Sequence, residues 1–454
     1  MRAIIQKNLI FPFIELIRGE PISSCLTELE KSQWYSRPQL RELQLGKLKS
    51  LISYCYEHIP FYRQAFQKIK LRPADIGTFE DFKRVPFLTK DIIRDNHSEL
   101  LSRNFKAKIE YCHSGGTQGR PLHLVRDSLS SAYGRAALFR GLGWYGIHKE
   151  DKQLRLWGLP LDHKAAARER RKDFFLNRKR ISAFQISKEK IAQYSQIIKR
   201  FRPKYIYGYV SAVFRLCQVM QENNFNGEEL NIKYVVTTAE NLSAYQRNFI
   251  EKFFNCRVVN EYGCGEMGPV AFECPKGNLH INMENILVEF IESDRLGKEN
   301  SEIVLTNLNS FSMPLLRYKI FDTGQRLESE CPCGRGLETM GFNAGRVVDT
   351  LMATDGHFVA GNVFRYIAFD IIEKYAGIKD FRVVQKEKNK LEIALSRDKN
   401  FSDTILNLFT ARVKEMLGED MAIEYIFRED IPVEPSGKRL YVYSELKDIF
   451  HERG

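Results

Sequence analysis

No stretch of this 454-residue chain offers the roughly 18 uninterrupted apolar residues that a membrane-crossing helix needs, and the apolar run Leu9 to Ile17 is broken by Pro12 and Glu15. A small-residue cleavage site of the signal-peptide kind is also missing, so the expectation is a cytoplasmic protein. Nine cysteines, an odd number scattered over a long chain, give no disulfide framework and leave reduced thiols as the default. No internal repeat or low-complexity segment stands out. The glycine-rich stretch Ser114 to Pro121 (SGGTQGRP) neither ends in Gly-Lys-Ser/Thr nor leads into a helical pattern, which excludes a Walker-type loop.

What is present is length and positive charge. The chain exceeds what a single core usually fills, so more than one domain is expected. A net charge of +12 and a pI near 9.1 point to polyanions, whether nucleic acid, anionic lipid or acidic saccharide. The densest basic run is Lys164, Arg168, Arg170, Arg171, Lys172, Arg178, Lys179 and Arg180, diluted by Glu169 and Asp173. It reads as a solvated helical face followed by a loop, in preference to a nucleic-acid patch, because no recognition module accompanies it. A membrane-surface or anionic-substrate role stays open. The first twenty residues, with Ile4, Ile5, Leu9, Ile10, Phe13, Ile14 and Ile17, form an amphipathic helix bent at Pro12. Packing onto the protein's own body is preferred to peripheral membrane contact, since only Arg2, Lys7 and Arg18 accompany it.

Residues 27 to 70 read as helices, with leucines at 40, 43, 45, 48 and 51 near the helical period and Pro60 as punctuation. From about 105 to 345, strand-like KYVVTTAE, CRVVNEYG, ILVEFIES and SEIVLTNL alternate with helical Lys188 to Phe201 and Ser211 to Asn224. Such alternation predicts an α/β sheet, with ligands beyond the carboxyl ends of its strands. After Gly345 the character changes to FRVVQ, KLEIALS, a helix from Ser402 to Leu417 and AIEYIF, a small second domain of α+β type.

Four motifs carry chemistry, in this order. In the glycine-rich loop, Gly115, Gly116 and Gly119 free the backbone and Ser114 and Thr117 add hydroxyls, suited to a polyphosphate. NEYGCGE runs from a strand into a turn that displays Tyr262 and Glu266; an aromatic face covers a purine and a carboxylate holds Mg²⁺ beside phosphates. RYKIFDTG carries Asp322, whose acceptor-only oxygens suit a vicinal diol. PSGKR sets Lys438 after a tight turn, an ammonium able to stabilise charge that builds up during attack on phosphorus.

Together the four resemble the adenylate-forming enzymes, which activate a carboxylate with ATP. The nearest likeness is the phenylacetate–coenzyme A ligase-like branch, including its capsular-polysaccharide members of the CapK type. It runs from about residue 35 to the end. The resemblance implies a large N-terminal adenylate-forming domain of β-sheets with flanking helices, residues 1–348, and a mobile C-terminal α+β domain, residues 349–454, hinged at Asp349. It implies that Ser114, Gly115, Gly116, Thr117, Gly119 and Arg120 hold phosphate, with Gln118 and Arg120 departing from the usual small hydroxyl residue and Lys. Thr238, Ala239, Glu240 and Tyr262 would line the adenine pocket, and Glu266 would lie near magnesium. Asp322 would accept both ribose hydroxyls, although Phe321 replaces the usual Gly, and Arg346 would be a second ribose or phosphate contact. Lys438 would serve catalysis. Tyr207, Tyr209 and Ser211 (YGYVS) resemble a substrate-pocket segment, and those aromatics read equally as core.

Cys274 and His280 in ECPKGNLH, with Cys331 and Cys333 in CPCGR, form a sound tetrahedral zinc set, preferred to unliganded cysteines although the spacing departs from C-x-x-C. Some members of the branch bind zinc through a similar set. Cys264 is a substitute ligand, and His113 and His123 read as pocket or packing residues. The expected function is an ATP-dependent ligase that makes an acyl-adenylate and passes it to a thiol (coenzyme A), amine or hydroxyl. The carboxylate is a small acid or a uronic-acid-type saccharide. The rival is a catalytically silent nucleotide-binding component of a polysaccharide assembly pathway.

Overall fold

The computed structural model describes residues 5–113, 122–157, 163–183, 186, 188–292, 301–342, 350–354, 358–360, 377–431 and 442–446. The chain divides into two units, one of Met1–Glu289, Val304–Ile320 and Arg326–Gly341, the other of Phe290–Ile303, Phe321–Gln325 and Phe342–Gly454. A π-type turn, Gln6–Ile10, runs into helix α1 (Phe11–Arg18), which Gly19 closes in the left-handed conformation. Helices α2 (Ile22–Ser32), α3 (Arg37–His58) and α4 (Pro60–Lys68) follow. Ser36 and Gln39 close a capping box at the start of α3, and Pro60 takes the first position of α4, where a missing N–H costs nothing. Two short helices, α5 (Phe79–Phe82) and α6 (Lys90–Asp95), precede the hairpin of β1 (Ile109–His113) and β2 (His123–Asp127).

After α7 (Ser128–Gly143) strands and helices alternate: β3 (Gln153–Trp157), α8 (His163–Phe175), β4 (Arg178–Ser182), α9 (Lys188–Phe201), β5 (Tyr205–Tyr209), α10 (Val210–Glu222), β6 (Tyr234–Thr238), α11 (Ala244–Phe254) and β7 (Arg257–Cys264). Then come β8 (Gly268–Glu273), β9 (Leu279–Ile281), β10 (Ile286–Glu292), β11 (Ser301–Asn307), β12 (Tyr318–Leu327) and β13 (Thr339–Gly341). Among the described residues these form an eleven-stranded sheet in the order β10-β11-β12-β13-β9-β8-β7-β6-β5-β3-β4. The run β4-β3-β5-β6-β7 is parallel, as helical crossovers require. Its inner strands β5 and β6 are covered on both faces and are apolar without strict alternation. Leu154, Leu156, Ile206, Val235 and Val258 pack with Ile198 of α9, Leu216 of α10 and Phe254 of α11. On the other face Tyr207, Val236 and Val259 meet Leu142 and Phe272.

The second half of the basic run departs from expectation. Residues 178–182 are not a loop but edge strand β4, paired in parallel with β3. Neutralisation explains it: the Asp173 carboxylate accepts from Arg178 Nε at 2.5 Å and Arg180 Nε at 3.2 Å, and Glu169 accepts from Arg180 Nη2 at 2.9 Å. Charge pairing of this kind makes a basic sequence behave as a strand.

Helix α7 is held by a fully buried ion pair. Arg140 Nη1 donates to Glu284 Oε1 at 2.6 Å, with both side chains at 0% exposure. Arg140 also donates to Asn282 Oδ1 (2.8 Å) and the Leu29 carbonyl (3.2 Å), and Ser32 Oγ donates to Glu284 (2.6 Å).

In the second unit, β14 (Thr350–Met352) pairs with β15 (Phe358–Ala360). Strands β16 (Ile378–Glu387), β17 (Lys390–Arg397), β18 (Ala422–Arg428) and β19 (Val442–Ser444) form a sheet in the order β18-β17-β16-β19. Helix α12 (Asp403–Leu417) lays Ile405, Phe409, Val413 and Leu417 on Phe381, Val383, Ile393 and Leu395. Gln385, fully buried, exchanges two 2.8 Å hydrogen bonds with the Met352 backbone. No helix among the described residues is long and apolar enough to cross a membrane.

Candidate active site

The parallel strands place the site. The chain leaves β3 for β4 on one side and returns to β5 on the other, and ligands collect at the carboxyl end of such a reversal. There Trp157, ending β3, stacks on Tyr209, ending β5, with centroids 4.3 Å apart, and on Tyr207 at 6.0 Å. Arg155 lies over Trp157 at 4.5 Å and Tyr207 at 5.2 Å. Tyr207 and Tyr209 are thus buried aromatics at the switch point. Gly208 between them is required by packing, since a Cβ there would stand 2.8 Å from Leu156 Cβ. Ser211 begins the second residue of α10.

Thr238 ends β6 beside Tyr209, and Ala239 turns left-handed at φ +66°, an uncommon conformation for a residue with a Cβ that sends the chain over the sheet edge toward Glu240. Strand β7 brings Glu261 and Tyr262. A register shift between Tyr262 and Gly263 re-aims the strand end, as bulges do. The sequence motif pointed to Tyr262, but Glu261 is the buried member of the pair. Its Oε2 accepts from Tyr207 Oη at 2.5 Å, and Thr238 is hydrogen-bonded to both.

Burial raises the Glu261 carboxyl from 4.5 to about 7, against the Tyr207 and Thr238 hydrogen bonds and the Arg155 charge that pull it down. The folded protein therefore holds a proton that the unfolded chain releases between 4.5 and about 7, so stability falls as pH rises through that window. Glu261→Gln keeps an acceptor for Tyr207 and removes this fall, worth at most about 3 kcal/mol. Thermal melts at about pH 5 and about pH 8 check it: the wild type should lose more stability than the variant, and equal losses would count against the assignment.

Glu266 sits in the turn between β7 and β8. Its Oε1 accepts from Tyr318 Oη at 3.1 Å and lies 3.8 Å from Lys90 Nζ. Arg126 of β2 donates to the Gly265 carbonyl at 2.8 Å, tying the hairpin that flanks the glycine-rich loop to the turn carrying Glu266. Next to Arg126, at the C-terminal end of β2, buried Asp127 caps α7 through Ser130 N and accepts from Phe311 N and Ser312 N. His113 and His123 are partners across the β1–β2 ladder. Asp322 lies four residues beyond Tyr318 on β12, in the second unit. Arg317, just before β12, grips Glu289 with Nε at 3.1 Å from both carboxylate oxygens. The loop residues Ser114, Gly115, Gly116, Thr117, Gln118, Gly119 and Arg120, together with Arg346, Asp349 and Lys438, lie outside the described residues, as do the side chains of Ser211 and Phe321.

Cys274, His280, Cys331 and Cys333 converge, with one donor atom from each within 4.8 Å of the others. Cys274 and Cys331 Sγ are 3.6 Å apart, and Cys333 Sγ is 3.3 Å from His280 Nε2. His280 Nδ1 donates to the Leu337 carbonyl at 3.0 Å, which turns Nε2 toward the sulfurs, the outer-shell arrangement of metal-bound imidazoles. Asn278 Nδ2 and Lys276 N donate to Cys331 and Cys274 sulfurs. Burial lowers the His280 pKa to about 4, leaving it neutral as a ligand must be. The set fits a four-coordinate metal, and Cys264 is not part of it.

Residues that motif reading passed over are Arg155, Trp157, Glu261, Lys90 and Arg126. Only Glu261 left a trace: a carboxylate on the same strand face as Val259, within an apolar run.

With that geometry in place, known proteins bear on it directly. The crystal structure of a 2-hydroxyisobutyryl-CoA ligase, in its postadenylation state with an acyl-AMP, superposes with a TM-score of 0.70 at 17% identity, covering 89% of this chain and 90% of that one. The fold is therefore that of the adenylate-forming enzymes. Residues 351–445 match the family model of the CapK C-terminal domain. Protein CapK of Staphylococcus aureus is 25% identical over 423 residues, 90% of each chain. Phenylacetate-coenzyme A ligase of Thermus thermophilus is 27% identical over 347 residues, 70% of this chain and 72% of that one. The chain is thus similar along most of its length to CapK and to the phenylacetate-coenzyme A ligases, which supports its placement among the AMP-forming ligases of the adenylate-forming type.

Proposed function

We propose that the protein activates a carboxylic acid with ATP as acyl-AMP, releasing pyrophosphate, and transfers the acyl group to a second substrate with release of AMP. The observation that carries this reading is the tie between Arg126 and Gly265, which joins the phosphate-loop hairpin to the turn bearing Glu266. The acid lies against Trp157, Tyr207 and Tyr209, with the Thr238–Glu240 turn and Tyr262 on the adenine and Asp322 and Arg346 on the ribose. The glycine-rich segment from Ser114 to Arg120 supplies N–H and O–H donors to phosphate. Glu266 would hold Mg²⁺, which neutralises phosphate charge. Lys438, on a C-terminal domain that swings about Asp349, stabilises the charge arising as the carboxylate attacks the α-phosphorus.

Coenzyme A is the first acceptor to test. A saccharide amine or hydroxyl, in surface-polysaccharide synthesis and with a uronic-acid-type carboxylate, is the second reading, favoured by the match of residues 351–445 to the CapK C-terminal domain. Pyrophosphate release with MgATP over a panel of arylacetic, hydroxy and uronic acids tests the activity. Nucleotide binding without turnover on every acid would instead favour a silent assembly component.

Zinc is the metal proposed at Cys274, His280, Cys331 and Cys333, a closed and therefore structural set. Purified protein should carry about one zinc per chain, and joint Cys274→Ser and Cys331→Ser exchange should remove it in elemental mass spectrometry. Retention of zinc by that variant would exclude these ligands.

A further inference from the structure

A surface helix ordinarily turns polar side chains to water; the segment from Ile5 to Ile17 exposes Lys7 and Asn8 but otherwise apolar residues. One side is docked: Gln6 and Phe11 are buried, Phe11 meets Phe139 edge to face at 6.5 Å, and Gln6 Nε2 donates to the Phe175 carbonyl at 3.3 Å. Glu15 accepts from Ser23 N at 3.0 Å and Ser23 Oγ at 2.6 Å, fixing α1 to the start of α2. On the opposite side Ile5, Leu9, Phe13 and Leu16 follow one another at helical spacing, flanked by Ile17; Leu16 is 79% exposed and Leu9 66%. Phe174 and Phe175 at the end of α8 extend this surface. Seven of the twelve large apolar side chains exposed among the described residues lie on these two segments, a concentration that scatter does not produce.

The charge beside it comes from α8, about 150 residues away in sequence. Lys164, Arg168, Arg170 and Arg171 are exposed there. Arg168 and Arg171, with Arg18, border an apolar cleft of ≈ 250 Å³ between α1 and α8, walled by Phe11, Ile14 and Phe175. The acids nearby are engaged within the protein. Glu20 pairs with Arg135 at 2.8 Å and Arg18 at 3.5 Å, Glu15 lies 3.7 Å from Lys149, and Glu169 pairs with Lys172 at 2.8 Å. The rim is therefore positive.

We infer that α1 and α8 form a docking face for an anionic lipid surface, with Leu9, Phe13 and Leu16 among the acyl chains and the α8 arginines on headgroup phosphates. This combination of an apolar helix face and a basic border suits the interfacial layer of a membrane. A second copy of the chain suits it less well, because a two-fold interface would set the two basic borders against each other.

Flotation of the full chain with vesicles tests the assignment. The protein should rise with phosphatidylglycerol–phosphatidylcholine vesicles and stay behind with phosphatidylcholine alone. Phe13→Ser with Leu16→Ser, both exposed and so harmless to folding as judged by an unchanged melting temperature, should abolish flotation. Arg168→Gln with Arg171→Gln should weaken binding on the order of thirtyfold. Wild-type protein that ignores anionic vesicles overturns the inference, as does unchanged flotation of either variant. Light scattering that finds a dimer, dissociated by Phe13→Ser with Leu16→Ser, in protein that does not bind lipid also overturns it, in favour of self-association.

Discussion

Lys438→Ala should cut acyl-adenylate formation by about 100- to 1,000-fold, the usual effect of removing one preorganised charge from a developing oxyanion. In the proposed reaction the negative charge of two anions is pressed together as the carboxylate approaches the α-phosphorus, and only a fixed cation relieves it at that instant. Conversion of preformed acyl-adenylate to thioester makes no such demand and should survive. Two assays therefore separate the steps, carboxylate-dependent pyrophosphate exchange for the first and release of AMP from added adenylate for the second. Full exchange activity in the variant would refute this role, and with it the mechanism. Loss of both steps together with a lowered melting temperature would mean that the exchange had damaged the fold.

The second large effect concerns stability. Arg140→Met leaves Glu284 as an unpaired charge at 0% exposure and should cost about 3–5 kcal/mol. The pair also holds Asn282 and the end of α2 through the Leu29 carbonyl and Ser32, so the loss spreads beyond one contact. Exchanging both partners, Arg140→Met with Glu284→Leu, should recover most of it, because an apolar pair of similar volume does not have to be neutralised. Urea midpoints with unchanged slopes would report the difference. A double variant as weak as the single one would assign the cost to lost packing and not to the charge.

How much of this was readable beforehand depended on where the physical cause lay. Helix α9 has the bounds expected for it, Lys188 to Phe201, because Ile191, Tyr194 and Ile198 give an unambiguous helical stripe. Strands β6 and β7 follow from Val-rich runs between turns. Strand β4 was illegible because its arginines look solvated until Asp173 and Glu169, on the preceding helix, are seen to neutralise them. Glu261 was hidden beside the more conspicuous Tyr262, since burial of a carboxylate is decided by Tyr207 and Thr238 on neighbouring strands. The four metal-binding candidates were named from an irregular spacing, and their convergence depends on β9 pairing with β13. In sequence the outward face of α1 is short of positive charge, because the arginines that border it in the fold stand on another helix.

Trp157, Tyr207 and Tyr209 belong to the paired strands β3 and β5 and not to connecting segments. If these rings wall the acid's site as proposed, that site has little freedom to adapt, so a descendant enzyme would acquire appetite for a bulkier or leaner acid by swapping one ring for another side chain. Lengthening a loop would not do it. Divergence among relatives should accordingly be written as single replacements at these three positions upon an unaltered backbone.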